Sequence, residues 1–423
     1  KSAKYFKFLC HNLSLVKGFI YFRKPNKNTQ NQPKPMRKIL IIGAGKSTSS
    51  LVRFLSQNAN TENLEITIAD KDFNQAKKVA KVSEHLKAKA LDIFKKDQRE
   101  PAVKNADIVI SMLPARFHIE VAKDCLAFGK NMVTASYVSE EMQALSDDVK
   151  AKGLTFMNEI GVDPGIDHMS AMQVIDRIKS QGGKLLMFES FTGGLVAPES
   201  DDNLWHYKFT WNPRNVVVAG QGGAAKFIQE GKYKYIPYQR LFRRTEFLTV
   251  PEFGKFEGIA NRNSLQYRGI YGLEDIPTLY RGTLRRVGYS KAWNVFVQLG
   301  MTDDTYIIEN TQNMSYREFV NSFLPYSPTD SVELKLRHNL KIDQDDLIWD
   351  KLLELDLFNA DKIIGLDKAT PAQALQKILE DQWTLQPDDK DMIVMYHKFG
   401  YELNGKKQQI DSTMVSIGED QTY

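Results

Sequence analysis

The sequence predicts an α/β protein: a doubly wound parallel sheet first, then an α+β part with a mixed sheet and a small helical subdomain. Three observations carry the prediction. Residues 37–45 read RKILIIGAG, an aliphatic run that ends in Gly-x-Gly. From there to about residue 160, strand-like runs alternate with helix-like ones, as parallel βαβ units require. Beyond that point strand-like runs follow one another, split by Gly and Pro, before a helical stretch sets in.

The first strand is the run Ile39 to Ile42, aliphatic and mostly β-branched as a strand buried on both faces must be. LVRFLSQNA follows with helical spacing, Leu51, Phe54 and Leu55 on one face. ITIAD is a second strand closing on Asp70, and a helix is expected over 72–82. ADIVISMLP (106–114) is a third strand, HIEVAKDCLAFG a helix, NMVTASY (131–137) a fourth strand and LTFMNEIG (154–161) a fifth. NEIGVDPGIDHMSAMQVIDRIKS reads as a loop feeding a helix, with Pro164 near its start and Asp167 as its cap. GKLLMFESFTGG, KFTWNP, NVVVAG, PYQRLFRRTEFLTVPEFGKFEGIANR and PTLYRGTLRRVGY are strand-like. DLIWDKLLELDLF and PAQALQKILEDQW are helical. DKDMIVMYHKFGYELNGKKQQIDSTMV returns to strands, with Asn404-Gly405 as a hairpin turn.

These shifts divide the chain into a basic, disordered extension (1–35), a dinucleotide-binding domain (36–160), a substrate-binding and dimerisation sheet domain (161–301), a helical subdomain (302–386) and a strand-rich segment (387–423) expected to return toward the first domain. The formal net charge of +5 follows the same division. Residues 1–35 hold eight Lys or Arg and no acid; the other 388 carry 49 basic and 52 acidic side chains, a net of −3. A body that is slightly acidic argues against nucleic acid as a partner. The basic aromatic run GKYKYIPYQRLFRR (231–244) therefore reads as an amphipathic strand-loop segment rather than a single-strand-binding one. No uncharged apolar run approaches the ~18 residues of a membrane span. His11, Asn12, Ser14 and Lys17 interrupt what would be the apolar core of a signal peptide. Cys10 and Cys125 make no disulfide framework, so a reducing, cytoplasmic location is expected.

The first turn carries cofactor chemistry. Gly43 permits the tight turn, Gly45 lets backbone approach a pyrophosphate, and the helix that follows offers free N–H groups. Ala44, Lys46 and Ser47 complete the turn; Thr48 stands where a third glycine is usual. This is a Rossmann-type arrangement. Asp70 can accept from a ribose 2′-OH and repels a 2′-phosphate, which favours NAD; Lys71 beside it keeps NADP open. Gly45-Lys46-Ser47 also resembles the end of a P-loop, but the glycine that motif needs five residues earlier is Leu40.

MRKILIIGAG, DIVISMLPARFH, MVTASYVSEEM, FMNEIGVDPGIDHM, GGKLLMFESFTGGLVAPESDDNLWHYKFTWNPR, YRGTLR and DKDMIVMYHKFGYE together resemble the saccharopine dehydrogenase family of the L-glutamate-forming type, also called saccharopine reductases. The segments run from residue 36 to about 414 in the family's order. The resemblance starts near Met36, so 1–35 is expected to be extra, and family members run past Tyr423 in a small-residue-rich helix. It implies NAD(P)-dependent oxidation of the secondary amine of saccharopine to L-glutamate and 2-aminoadipate 6-semialdehyde, reversibly, in lysine metabolism, by a homodimer. A related reductive-amination enzyme such as carboxynorspermidine synthase is an alternative, as is a catalytically inactive dinucleotide-binding regulator.

The resemblance also implies site residues. Saccharopine carries three carboxylates, which suits arginine forks. Arg262 and Arg285 match family substrate positions, with Thr283 and Leu284 beside Arg285 and with Ser136. Asp163 matches a substrate-contacting position and could hold the substrate ammonium or relay protons; before a proline it also suits a plain turn residue. Tyr137 fits a general acid or a packing tyrosine. The 162–169 stretch runs along the nicotinamide side, adding Val162, Pro164, Gly165, Ile166, Asp167 and His168 to the cofactor contacts, with Leu113, Pro114 and Thr134 from strand ends. Asp163, Asp167 and His168 are not read as a metal site.

Overall fold

The computed structural model describes residues 35–418; of Lys46 only the backbone is described. The expectations about 1–34, Cys10 and the last five residues lie outside it. Two sheets organise the chain. The first is β1 (Arg37–Ile42), β2 (Leu64–Asp70), β3 (Leu86–Ala90), β4 (Ile108–Ser111), β5 (Asn131–Thr134) and β6 (Phe156–Met157), all parallel, in the order β3-β2-β1-β4-β5-β6. Helices α1 (Ser49–Glu62) and α2 (Phe73–Ala80) bury Val52, Leu55, Ala59 and Ala76 on one face. Helices α3 (Lys96–Lys104) and α4 (His118–Phe128) bury Ala102, Val103, Val121, Ala122 and Cys125 on the other. The doubly wound sheet is thus as expected, with one correction. It has six strands, not five, because LKAKA forms an edge strand and KDQREPAVK a helix. Lysines alternate along the edge strand and blunt it against further pairing, which hid the strand pattern. Pro101 inside α3 hid the helix.

The second sheet holds β7 (Lys184–Val196), β10 (Thr245–Val250), β11 (Gly254–Ala260), β12 (Thr278–Arg286), β13 (Asp391–Leu403) and β14 (Lys406–Ile417) in the order β10-β11-β12-β7-β13-β14. Strands β8 (Ala225–Gln229) and β9 (Lys232–Ile236) branch off β12. The sheet is mixed: β12 runs parallel to β7 and its other pairings are antiparallel. The described closing strands, β13 and β14, join the second sheet. Asp391–Leu403 pairs with β7 along nearly its whole length, its apolar run Met392 to Tyr396 largely buried between β7 and β14. Helix α5 (Ile166–Ser180) packs Ala171, Val174, Ile175 and Ile178 against Phe188, Leu279 and Phe399. Gly165, not Asp167, occupies its cap position; Asp167 lies in the first turn and accepts the Gly165 N–H at 2.7 Å. The run NVVVAG, expected as a strand, contributes instead to a short helix, Pro213–Val217, capped by Asn212 with a proline at its first position. Helices α6 (Tyr289–Leu299), α7 (Tyr316–Asn321), α8 (Val332–Leu340), α9 (Leu347–Glu354) and α10 (Pro371–Trp383) form the helical part. They meet the sheet around Trp205, Tyr207, Tyr289, Trp293 and Trp383. Among the described residues no helix is long and apolar enough to cross a membrane.

Candidate active site

The nucleotide end is built by β1, β2 and the turn between β1 and α1. Gly43 has φ +107°, and a Cβ there would stand 2.7 Å from the Met112 carbonyl oxygen, so only glycine fits. Gly45 faces open space, room for backbone to meet a phosphate. Asp70 ends β2 with its carboxylate over this turn: Oδ2 accepts the Ala44 N–H at 2.8 Å and Oδ1 the Asp72 N–H at 2.9 Å. Gln75 Nε2 donates to the Ala44 carbonyl at 2.9 Å. Each Asp70 oxygen keeps a lone pair for a ribose hydroxyl. Lys71 Nζ lies 3.9 Å from Asp92, which draws it sideways. Ser47 is exposed, Leu113 and Pro114 follow β4, and Thr134 is buried at the end of β5, all on the C-terminal edge where such sheets bind ligands. The residues present fit a dinucleotide.

The loop 161–168 crosses this edge and is held by its own backbone. Gly161 N–H donates to the Pro164 carbonyl at 2.8 Å, and Ile166 N–H to that of Gly161 at 3.0 Å. Gly165 has φ +149°, and a Cβ would lie 2.1 Å from the Gly161 oxygen. Val162 and Ile166 stay exposed at the cleft. Asp163 projects beside Tyr137, whose hydroxyl donates to Oδ1 at 2.8 Å. Tyr137 is 40% exposed and is therefore no core tyrosine. Desolvation of its hydroxyl end and the Asp163 carboxylate push the phenol well above its ordinary value, so it stays a donor at neutral pH.

A residue that sequence reasoning missed anchors this pair. Arg281, on β12, donates to Asp163 Oδ1 at 2.9 Å and to Asp167 Oδ2 at 2.6 Å, with its guanidinium 4.2 Å over the Tyr267 ring. Asp167 is 1% exposed; burial and the neighbouring Asp163 raise its carboxyl above the usual range, and Arg281 opposes them. His168 joins through Nδ1 to the Tyr271 hydroxyl at 2.6 Å, with Nε2 3.0 Å from Glu159 Oε2. Burial opposes ionisation of Glu159, yet His168 and the Val138 N–H hold its carboxyl below the usual range. Ser190 pairs in register with both Arg281 and His397. His397 Nε2 meets Ser170 Oγ at 2.7 Å, and burial, then Arg281, pushes the imidazole down to about 3.

Strand alternation puts Thr283 and Arg285 on the same face as Arg281, two and four residues on. Arg285 is buried, its guanidinium 4.8 Å from the Tyr207 ring centre and 5.3 Å from that of Tyr289. It donates to the Leu284 carbonyl at 2.8 Å, and its Nε has no partner among the described residues. Glu257, its register partner on β11, is committed elsewhere, accepting the Gly288 and Ser290 N–H groups at the start of α6. Leu284 points to the opposite face, with none of its surface exposed, against the backbone position of Gly193; only its main chain serves this side. Arg262 lies on an exposed loop with φ +29°, and its carbonyl accepts the Lys226 N–H at 2.7 Å. Its side chain makes no hydrogen bond or ion pair with the rest of the cluster among the described residues. Arg281 had one available signal, its period-two spacing from Thr283 and Arg285. The partners that give it a role are 118 and 114 residues away.

Two family models cover the chain: the saccharopine dehydrogenase NADP binding domain matches residues 39–157, and the saccharopine dehydrogenase C-terminal domain matches 161–423. The first domain is thus a nicotinamide-dinucleotide domain. The L-glutamate-forming, NADP(+) saccharopine dehydrogenase of Saccharomyces cerevisiae is 30% identical over 390 residues, 90% of this chain and 86% of that one. The mitochondrial alpha-aminoadipic semialdehyde synthase of Rattus norvegicus is 32% identical over 86% of this chain, which spans only 39% of that relative. The solved structure of apo saccharopine dehydrogenase (L-Glu forming) from Saccharomyces cerevisiae superposes with a TM-score of 0.79 at 30% identity, covering 92% of this chain and 87% of that one. The chain belongs to the saccharopine dehydrogenase family.

Proposed function

We propose that this protein oxidises the secondary amine of saccharopine, giving L-glutamate and 2-aminoadipate 6-semialdehyde, reversibly, in lysine metabolism. What supports the reading is the pairing of Asp163 and Tyr137, past the same C-terminal sheet edge as the nucleotide turn, with the arginines of β12. Nicotinamide, when bound, takes the hydride from the carbon next to nitrogen. That carbon releases hydride only when the nitrogen is an uncharged amine. Asp163 is the acceptor positioned to hold the ammonium and take its proton. Tyr137 keeps its proton and donates. The resulting imine adds water and separates into the amine of L-glutamate and the aldehyde. Arg285, a buried cation whose neighbouring carboxylate is already engaged, receives a substrate carboxylate; Arg262 meets a second at the mouth. Ser136 and Thr283 add hydroxyl contacts.

Asp70 favours NAD over NADP in this reading, although the yeast relative is named for NADP(+). The free thiol of Cys125 is in keeping with a reducing, cytoplasmic compartment. Pairing of two copies through the second sheet makes the homodimer. The test is direct: incubate the purified protein with saccharopine and NAD⁺ or NADP⁺ and follow absorbance of the reduced nicotinamide. Turnover, faster with NAD⁺, is expected. No turnover with saccharopine, together with activity on a diamine and a semialdehyde, overturns the substrate; nucleotide binding without any turnover overturns catalysis.

A further inference from the structure

Behind Ser136 lies a buried imidazole that the proposed chemistry leaves unused. His118 opens α4 and sits between the ends of β4 and β5, only 4% exposed. Three hydroxyls meet its ring. Ser111 Oγ is 2.8 Å from Nδ1, while Ser136 Oγ and Thr134 Oγ1 are 2.7 Å and 3.2 Å from Nε2. Burial pushes the imidazole down to about 4. At neutral pH the ring is therefore uncharged, with one nitrogen donating and the other accepting.

The surroundings decide which nitrogen does which. Ser111 is 1% exposed, and Nδ1 is the only partner its hydroxyl has among the described residues. If Nδ1 carried the proton, the Ser111 hydrogen would be buried without an acceptor, a costly arrangement. Thr134, 2% exposed, competes for the ring's one accepting nitrogen through its contact with Nε2 at 3.2 Å, but Ser111 is closer, at 2.8 Å, and donates to Nδ1. Nε2 keeps the ring proton and donates to Ser136 Oγ, the nearer of its two oxygens. The Ser136 oxygen is thus engaged from behind. Its own hydrogen is free to point into the cleft, next to Tyr137 and Asp163.

We infer that His118 is a positioning residue that holds Ser136 as a hydrogen-bond donor toward a carboxylate of the substrate. The inference rests on reading Ser136 as a substrate contact. It also divides labour in the cleft: Asp163 takes the nitrogen, and Ser136 takes an anionic group.

The experiment uses the full chain and measures KM and kcat for saccharopine, with nucleotide affinity by fluorescence titration. Ser136→Ala should raise KM about tenfold, the loss of one hydrogen bond to a charged group at the low end of its range, with nucleotide affinity unchanged. His118→Asn, too short to reach Ser136, should give the same rise. His118→Gln, whose amide extends toward the place of Nε2, should restore most of it. The double variant His118→Asn/Ser136→Ala should be no worse than Ser136→Ala alone, since a purely structural role would multiply the effects instead. Glutarate should inhibit Ser136→Ala and His118→Asn more weakly than the parent, while cadaverine inhibits all three alike. A KM rise in Ser136→Ala with none in His118→Asn, multiplicative effects in the double variant, or the reverse inhibitor pattern overturns the inference. An unchanged KM in Ser136→Ala overturns the Ser136 contact itself, and the inference with it. Should His118→Asn fail to fold, Ser111→Ala decides, because it frees the ring without touching Ser136. A KM rise that vanishes in the Ser136→Ala background supports the inference, and a parental KM overturns it.

Discussion

Arg281 and Arg285 stand four residues apart on one face of one strand, yet their surroundings are opposite. Arg281 is met within the chain: two carboxylates accept its N–H groups and a tyrosine ring lies beneath it. Arg285 is held by aromatic rings and a single backbone carbonyl, and the carboxylate facing it is spent on the start of a helix. A cation whose charge is balanced internally holds a structure in place. A buried cation without a carboxylate partner costs stability, and such a cost is borne where a ligand brings the missing charge. The same residue type on the same strand thus serves two purposes, and the difference lies in the neighbours.

Breaking Arg281 should have the largest effect. Arg281→Met leaves Asp163 and Asp167 close together, the second fully buried, and should cost about 3–5 kcal/mol of stability. Urea unfolding measures it. Arg281→Lys keeps the charge but loses the fork that reaches both carboxylates, and should recover only part. A loss under ~1 kcal/mol in Arg281→Met would break the comparison, because surface pairs typically contribute no more than that.

Arg285→Met is the mirror image. It removes a buried cation that makes no ion pair, so it should cost clearly less stability than Arg281→Met, while the KM for saccharopine climbs roughly ten- to a hundredfold, as expected for a lost charge-assisted hydrogen bond. Nucleotide affinity should not move. Equal loss of stability in the two arginine variants would show that Arg285 is as structural as Arg281.

How much of this was legible in the sequence follows the same division. The buried strands of the first sheet announce themselves, since a run such as Ile39 to Ile42 has few other uses. Its charged edge strand and proline-bearing α3 do not, because their stability comes from packing on neighbours rather than from their own pattern. Asp163 and Tyr137 were visible as residues, but their contact was not. Arg281 and His118 escaped altogether, one an arginine among several on β12, the other a histidine at a helix start. What gives each a role is a partner distant in sequence or a hydroxyl on a neighbouring strand. The Pro213–Val217 helix shows the converse: a β-branched run loses to a proline and an Asn cap that fit a helix start.

The buried histidines extend the comparison to pH. His118 and His397 stay uncharged when folded, held down to about 4 and about 3 from an ordinary value of 6.5. Between those values and 6.5 the unfolded chain binds more protons than the folded one, so stability rises with pH there and falls as the solution is acidified from 6.5 toward 4. Melting temperature should therefore drop through this window. His118→Gln, which keeps the bond to Ser136 and removes the titration, should flatten part of the drop. An unchanged acid slope in that variant would mean that His118 titrates normally and that its burial is relieved by water.

Asp70 is the intermediate case and gives the smallest expected effect. Two backbone N–H groups satisfy one lone pair on each of its oxygens, and the remaining lone pairs face the place of a ribose. It is therefore half structural and half receptive. Asp70→Asn keeps an acceptor for one backbone N–H but loses the charge that repels a 2′-phosphate. The ratio of kcat/KM for NAD⁺ to that for NADP⁺ should fall about fivefold to tenfold, the equivalent of ~1 kcal/mol. Most of the change should appear as better use of NADP⁺, since the ribose contact survives in part. If the ratio is unchanged, Asp70 serves only to tie β2 to the turn, and it joins Arg281 among the side chains whose charge the protein meets by itself.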